Sequence, residues 1–209
     1  MDSTIMERNA QKNLRKWNIA DTDHEIFALI KQRWSTRKFK PDLIPETDLK
    51  KIFEAGRWAS SYENIQPWRF IYAVKGSPSY TIIQECVPDN DTEWVSKAPV
   101  LVLTVYKQQR NDGSTNNHAM LNLGLCLGNM HIQAEYLGIA MTQLFDIDCE
   151  HATKSFGVPK GYSTYSVLVL GYYGDSEEVI TREELEAEAL IRKRYAQTDF
   201  VYKDEWKTF

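Results

Sequence analysis

The chain has 209 residues, a formal net charge of −4 at pH 7 and a pI near 5.6. This length suits one domain with an ample hydrophobic core, and the acidic balance argues against a general nucleic-acid binder, which usually carries a basic excess. Cys86, Cys126 and Cys149 are widely spaced without a Cys-x-x-Cys pair, so we expect free thiols in a reducing cytoplasm and neither a disulfide framework nor a metal site.

The N-terminal part is predicted to be peripheral. Residues 1–22 are polar, have no hydrophobic pattern and lack the apolar segment of a secretory signal, so we expect a peripheral arm, or a helix packed on a partner, followed by one domain over 23–209. A short helix is predicted from His24 to Arg33, because apolar residues recur there at three- and four-residue steps. These residues would form one buried stripe: Ile26, Phe27, Leu29 and Ile30.

The rest of the chain alternates between helices and short strands. Helical spacing predicts a helix at 49–59, and the nearly uniform apolar composition of 116–137 predicts a second. A shorter helix is expected to end near 157–159, where Gly and Pro are natural terminators. Apolar and β-branched runs predict strands at 70–74, 100–106, 138–144 and 165–170. The strand at 100–106 is apolar on both faces and should be central. A capping-box pattern, Thr181-x-x-Glu184, predicts a last helix over 183–191.

The helix at 116–137 contains almost no charge. Residues 113–134 include no Asp, Glu, Lys or Arg, a length that could span a bilayer. Seven polar side chains make that costly, so we expect no membrane partner and a helix buried by a sheet, a partner subunit or both: Asn116, Asn117, His118, Asn122, Asn129, His131 and Gln133. The two histidines are too far apart for a one-turn metal motif and are predicted to be buried and hydrogen-bonded.

Two arginines four residues apart, Arg33 and Arg37, flank the hydroxyl of Ser35. This spacing puts both guanidinium groups on one face of a helix or of an extended segment. Each planar guanidinium can bind two oxygens of a phosphate, so the segment predicts an anion site. A nucleic-acid stacking surface, with Trp34 and Phe39 among basic residues, is the weaker alternative because the chain is acidic.

A polar loop precedes the strand at 70–74. It offers small hydroxyl and amide groups, which suit a polyol chain or the edge of a heterocycle: Ser60, Ser61, Asn64 and Gln66.

These motifs occur in an order that resembles the FMN-dependent nitroreductase family. Arg33-x-Ser35-x-Arg37 is similar to its N-terminal signature, and Ser60–Trp68 resembles its Ser-Ser-x-Asn-x-Gln-Pro-Trp loop. Later similarities follow in order: Ala98-Pro99, Asn122-Leu123, Gly138-Ile139-Ala140, Phe145-Asp146, Gly157-Val158-Pro159, Leu170-Gly171-Tyr172 and Arg192-Lys193-Arg194. The resemblance implies an α+β nitroreductase fold, a three-layer α-β-α sandwich with a central mixed sheet, and an intertwined homodimer.

The resemblance also implies roles for the basic residues. Arg33 and Arg194 would hold the FMN phosphate, assisted by Ser35 and Arg192. Arg37 would lie near the N1/C2 edge of the flavin ring, where negative charge accumulates on reduction, so its charge would tune the flavin.

The resemblance implies that both subunits supply the remaining cofactor contacts. The other subunit would supply the loop residues Ser60, Ser61 and Asn64. The same chain as the arginines would supply Trp34, Gln143 and Leu144, with residues 141–144 against the ring.

The implied activity is hydride transfer from NAD(P)H through FMN to a small oxidant, such as a nitroaromatic, quinone or enone, by a two-step exchange at one site. The flavin would carry the chemistry, so no catalytic side chain is predicted. Three departures from the family bear on substrate range: Ser60 where Pro is usual, Tyr62 for the second serine, and Leu144 for a glycine. A flavin-binding protein with a storage or flavin-modifying role is the alternative, and a pure interaction module is weaker.

Overall fold

A computed structural model of the chain describes residues 19–174 and 192–206, which belong to two compact units that divide between Asp175 and Ser176. The described part of the second unit contains one 3-10 turn, Gln197–Asp199. Most of the predicted N-terminal arm and the predicted helix over 183–191 lie outside the described residues.

The first unit contains six helices and four strands among its described residues. The helices are α1 (Ala28–Gln32), α2 (Glu46–Arg57), α3 (Pro78–Glu85), α4 (Asp89–Val95), α5 (Ala119–Tyr136) and α6 (Cys149–Ser155). The strands are β1 (Trp68–Val74), β2 (Val100–Lys107), β3 (Ile139–Leu144) and β4 (Tyr162–Tyr172), and a 3-10 turn, Tyr62–Asn64, precedes β1.

The four strands form one sheet in the order β1-β2-β4-β3. The prediction that β2 is central is confirmed, since residues 100–105 are all buried. Every pairing is antiparallel, so the predicted mixed sheet is wrong for these strands. A parallel pair would need a further strand beyond the four that the described residues supply.

Apolar cores lie on both faces of this sheet, because alternate residues of the buried strands point to opposite sides. One core joins the sheet to α2 and α5 through residues that include Ile52, Val102, Leu123, Met130 and Leu168. The other joins it to α3, α4 and α6 through residues that include Ile83, Val95, Leu103, Ala152 and Val167.

Helices α2 and α5 touch closely at Gly56. A Cβ added there would lie 2.8 Å from Met130 Cγ and 2.9 Å from Cys126 Sγ. We expect Gly56→Ala to lower the free energy of unfolding by about 1 kcal/mol, since overpacking outweighs the gain in helix propensity. Urea unfolding would measure the loss, and an unchanged midpoint would show that the two helices separate at no cost.

The predicted burial of the apolar stripe at 26–30 is wrong within one chain. Helix α1 begins at Ala28 and not at His24, and it has no buried residue. Its stripe is largely exposed at Ile26, Phe27 and Ile30. Helix α5 was predicted to be enclosed by a sheet, a partner subunit or both: its inner face is buried, and its outer face is uncovered within one chain, with exposed Met120, Leu121, Leu125 and Tyr136. Apolar periodicity shows that a face is suited to burial, but it cannot show whether the same chain covers it.

Candidate functional site

The arginine segment follows α1 and is fixed to β3. Arg33 is the first residue after α1 and has an extended backbone, with φ −64° and ψ 128°. The hydroxyl of Thr142 in β3 donates a hydrogen bond of 2.8 Å to the carbonyl of buried Thr36. Ser35 and Arg37, on either side of Thr36, are exposed, and Arg33 is half-buried. The segment therefore turns Thr36 toward the sheet and leaves two of its polar side chains accessible.

Arg37 interacts with helix α4. Its Nη2 lies 3.7 Å from Oδ1 of Asp91, and its guanidinium lies 5.7 Å from the ring centroid of Trp94. The indole of Trp94 donates a 2.8 Å hydrogen bond to the same carboxylate oxygen. Asp91 is a partner that local sequence patterns missed, because it lies 54 positions from Arg37 and its contact arises from the tertiary fold.

Near Arg33, the histidine His131 of α5 is kept neutral. Burial, and secondarily the charge of Arg33, lowers the pKa of His131 from 6.5 to about 4. Its Nδ1 is buried and has no hydrogen-bond partner in the described part of the chain, so the prediction of a hydrogen bond at this atom is wrong. The prediction of burial is wrong for His118, which is exposed and contacts Tyr62 with ring centroids 4.5 Å apart and ring planes tilted by 42°.

Trp34 packs inward. Its ring centroid lies 4.2 Å from that of Tyr173, and the hydroxyl of Tyr173 donates a 2.7 Å hydrogen bond to the buried carboxylate of Glu135. These contacts anchor the arginine segment to the end of β4 and to α5. The predicted cofactor role of Trp34 stays a prediction, and packing is its observed role.

Gln143 and Leu144 share the end of β3 with Thr142. They therefore lie close to the arginine segment that Thr142 holds. Leu144 packs against the core on the side of α3, α4 and α6. The amide of Gln143 donates a 2.8 Å hydrogen bond to the hydroxyl of Ser166 in β4. The structure thus brings together one part of the predicted cofactor set.

The polar loop at 60–66 has unusual backbone geometry. Glu63, Asn64 and Gln66 are left-handed, with φ of 51°, 55° and 49°. Non-glycine residues adopt this conformation at a cost, which neighbouring contacts must offset. The hydroxyl of Ser61 accepts the Gln66 N–H at 3.1 Å, and the Gln66 side chain donates to the Asn64 side chain at 2.8 Å. The loop therefore has a defined shape, with Ser60 and Asn64 exposed.

Within one chain this loop does not meet the arginine segment. The N–H of Tyr62 donates to Oδ1 of Asn122 in the first turns of α5, at 3.3 Å. Arg33 instead acts on His131, nine residues further along the same helix. At 1.5 Å per residue, nine residues correspond to about 14 Å. The predicted cofactor residues of the first unit thus form two separate groups.

Arg192 and Arg194 lie in the second unit, where Arg194 Nη1 donates to the Lys193 carbonyl at 2.9 Å. Their assignment to the phosphate stays a prediction. No cluster of His, Cys, Asp and Glu suited to a metal ion occurs in the described ranges. None of the helices within those ranges has the length and hydropathy needed to cross a membrane.

Known proteins resemble this chain in sequence. A family model described as "Nitroreductase family" matches residues 30–80, which include the arginine segment and the polar loop. A protein of Bacillus subtilis (strain 168), named "Putative NAD(P)H nitroreductase YfhC", is 23% identical over 173 residues, which cover 74% of this chain and 87% of that protein.

Solved structures resemble it in fold. A crystal structure described as an oxidoreductase containing FMN matches with a TM-score of 0.82 and 23% identity, covering 91% of this chain and 97% of its own. A nitroreductase family protein from Clostridium difficile 630 matches with a TM-score of 0.68 and 19% identity, covering 88% of this chain and 100% of its own.

Proposed function

We propose that this chain is an FMN-dependent oxidoreductase that transfers a hydride from NAD(P)H to a small oxidant, a proposal supported by the match of residues 30–80 to the nitroreductase family model and by the similar fold. The observation that carries the proposal is the arginine segment, which Thr142 fixes beside Gln143 and Leu144. Its two arginines and Ser35 are the groups that a flavin phosphate and an electron-rich ring edge require.

The residues present fit FMN by their chemistry. Half-buried Arg33 and exposed Ser35 offer a charged fork and a hydroxyl donor for the phosphate. Exposed Arg37 offers a positive charge for the ring edge, and the end of β3 offers backbone and amide groups. Bound FMN would supply the hydride chemistry, and the protein would bind, orient and tune it.

Asp91 fixes and partly balances the charge of Arg37, through the ion pair at 3.7 Å. We expect Arg37→Ala to lower the flavin reduction potential by only about 20 mV, or about 1 kcal/mol for two electrons, because the Arg37 side chain is 70% exposed and its charge is screened by solvent. Asp91→Asn keeps an acceptor for Trp94 but removes the negative charge, so it should raise the potential. Anaerobic titration against a reference dye would measure both shifts, and shifts of the same sign would contradict this role.

The proposal includes an intertwined homodimer in which each flavin site takes its polar loop from the partner. The loop bonds to Asn122 and Arg33 acts on His131, positions about 14 Å apart along α5, and this division of the cofactor set within one chain supports the dimer. The uncovered apolar face of α5 offers a surface for the second copy. Gly124 and Gly128 on that helix have nothing within 4 Å of an added Cβ, so another helix could approach closely there. Helices on both sheet faces also support the three-layer sandwich.

The absorbance spectrum of the purified protein tests the proposal. We expect flavin absorbance after incubation with FMN, bleaching by NADH or NADPH without oxygen, and recovery on adding a quinone or nitroaromatic compound. A flavin that neither nucleotide bleaches would favour storage or flavin modification. A protein that stays colourless with FMN would contradict both functions.

A further inference from the structure

Two hydroxyl groups are buried in the middle of the sheet. Thr104 of β2 and Ser166 of β4 are both 0% exposed and face each other in register. Their Oγ atoms lie 2.7 Å apart, and the register of the two strands shifts immediately afterwards, between Thr104 and Val105. Burying polar groups in central strands costs free energy unless they are hydrogen-bonded. The pair is therefore a feature that needs an explanation beyond packing.

The hydrogen bonds of this pair extend to Gln143. The Gln143 amide nitrogen donates to Ser166 Oγ at 2.8 Å, which leaves the Ser166 hydroxyl proton for Thr104 Oγ1. The Thr104 hydroxyl then donates to the Ser166 carbonyl at 3.2 Å, and the Ser166 N–H donates to Thr104 Oγ1 at 3.1 Å. This arrangement makes four hydrogen bonds and uses both hydroxyl protons.

The opposite amide orientation is less favourable. With the Gln143 oxygen turned toward Ser166, the serine proton would go to that oxygen and the threonine proton to Ser166 Oγ. The bond to the Ser166 carbonyl would then be lost, leaving three hydrogen bonds. The two hydroxyls thus favour the orientation in which the N–H groups of Gln143 face Ser166. The carbonyl oxygen of Gln143 is then on the side of the amide away from Ser166.

We propose that Thr104 and Ser166 are positioning residues that lock the Gln143 amide so that its carbonyl oxygen serves as a fixed hydrogen-bond acceptor for the reduced flavin. This inference rests on the proposed function, since it requires FMN beside the end of β3. Reduction adds an N–H donor to the flavin ring, so a fixed acceptor favours the reduced form over the oxidised form. Gln143 is half-buried and lies next to Thr142, which holds the arginine segment.

Thr104→Val tests the lock, because valine keeps the branched shape and removes the hydroxyl. We expect the two-electron reduction equilibrium of the bound flavin to shift about two- to tenfold toward the oxidised form, the effect of weakening one hydrogen bond. Thr104→Ser retains the hydroxyl and should restore the wild-type equilibrium. Ser163→Ala on β4, the strand of Ser166, removes a hydroxyl that donates to Gln108 and should leave the equilibrium unchanged.

Repeating the test in Gln143→Leu protein distinguishes a positioning role of Thr104 from a general loss of stability. In Gln143→Leu protein, Thr104→Val should cause no further shift in the equilibrium, because the amide through which it acts is absent. An equal shift in both backgrounds, or an unchanged equilibrium with only a lower melting temperature, would overturn the inference. Wild-type protein that binds no FMN would overturn the proposed function as well, whereas bound FMN with a normal Thr104→Val equilibrium would overturn the lock alone.

Discussion

Replacing Arg33 by alanine is expected to weaken FMN binding by about 1.5–3 kcal/mol, or about 10- to 150-fold, because a charge-assisted contact to the phosphate is lost. Arg33 is half-buried, whereas the Arg37 side chain is 70% exposed and more strongly screened by solvent. The phosphate contact should therefore depend more on Arg33 than on Arg37. Quenching of FMN fluorescence during titration with FMN-free protein would measure the change.

Lys154→Ala provides the control, since it removes one exposed positive charge from α6. It should leave FMN affinity within about twofold of wild type, because an isolated surface charge is screened by salt. If Arg33→Ala bound FMN normally and Arg37→Ala did not, the two arginines would have exchanged roles. If neither variant bound FMN more weakly, the arginine segment would not be the phosphate site.

Pairing Arg33→Ala with a loop variant can show which chain supplies the polar loop to each flavin site. Ser60 is exposed in the protomer, so Ser60→Glu should fold normally and repel the flavin from the loop side. Neither homodimer of single variants should bind FMN tightly. When the two variant chains are refolded together, random pairing should restore about a quarter of the sites, since half the dimers are mixed and each has one intact site. No recovery would mean that each chain supplies its own loop.

The secondary structure was largely predictable because it follows local periodicity. The run at 100–106 is apolar on both faces, and the structure buries β2 in the centre of the sheet. The helix at 116–137 was predicted from its composition, and α5 occupies most of that range. The stripe on α1 had the correct spacing but no cover within the chain, because periodicity does not identify what lies opposite.

The candidate site was predictable only in part. The resemblance named Arg33, Ser35 and Gln143, since motif positions are local in sequence. It could not predict that Asp91 pairs with Arg37, or that Ser166 binds Gln143, because those partners meet only when the sheet and α4 assemble. Pairs distant in sequence need a tertiary arrangement, and a single sequence without related sequences carries no direct signal for them.

His131 should make the protein sensitive to acid. Its pKa is about 4 in the folded protein, because burial and the charge of Arg33 oppose protonation, against 6.5 in the unfolded chain. As the pH falls below 6.5 the unfolded state binds a proton that the folded state excludes, so the free energy of unfolding falls until pH 4. We expect this residue to account for a loss of about 2–3 kcal/mol across that window.

His131→Gln stays neutral at every pH and should remove most of this slope, while His118→Gln, at an exposed histidine, should keep it. Urea unfolding at several pH values between 4 and 7 would measure the slopes, and identical slopes for His131→Gln and wild type would contradict the assignment.

Arg33→Ala offers a further comparison. Burial is the larger cause of the low pKa, so removing the arginine should reduce the slope only slightly, although it removes the phosphate contact. Loss of FMN affinity should therefore follow from the Arg33 substitution and loss of acid sensitivity from the His131 substitution, although the two residues lie close together.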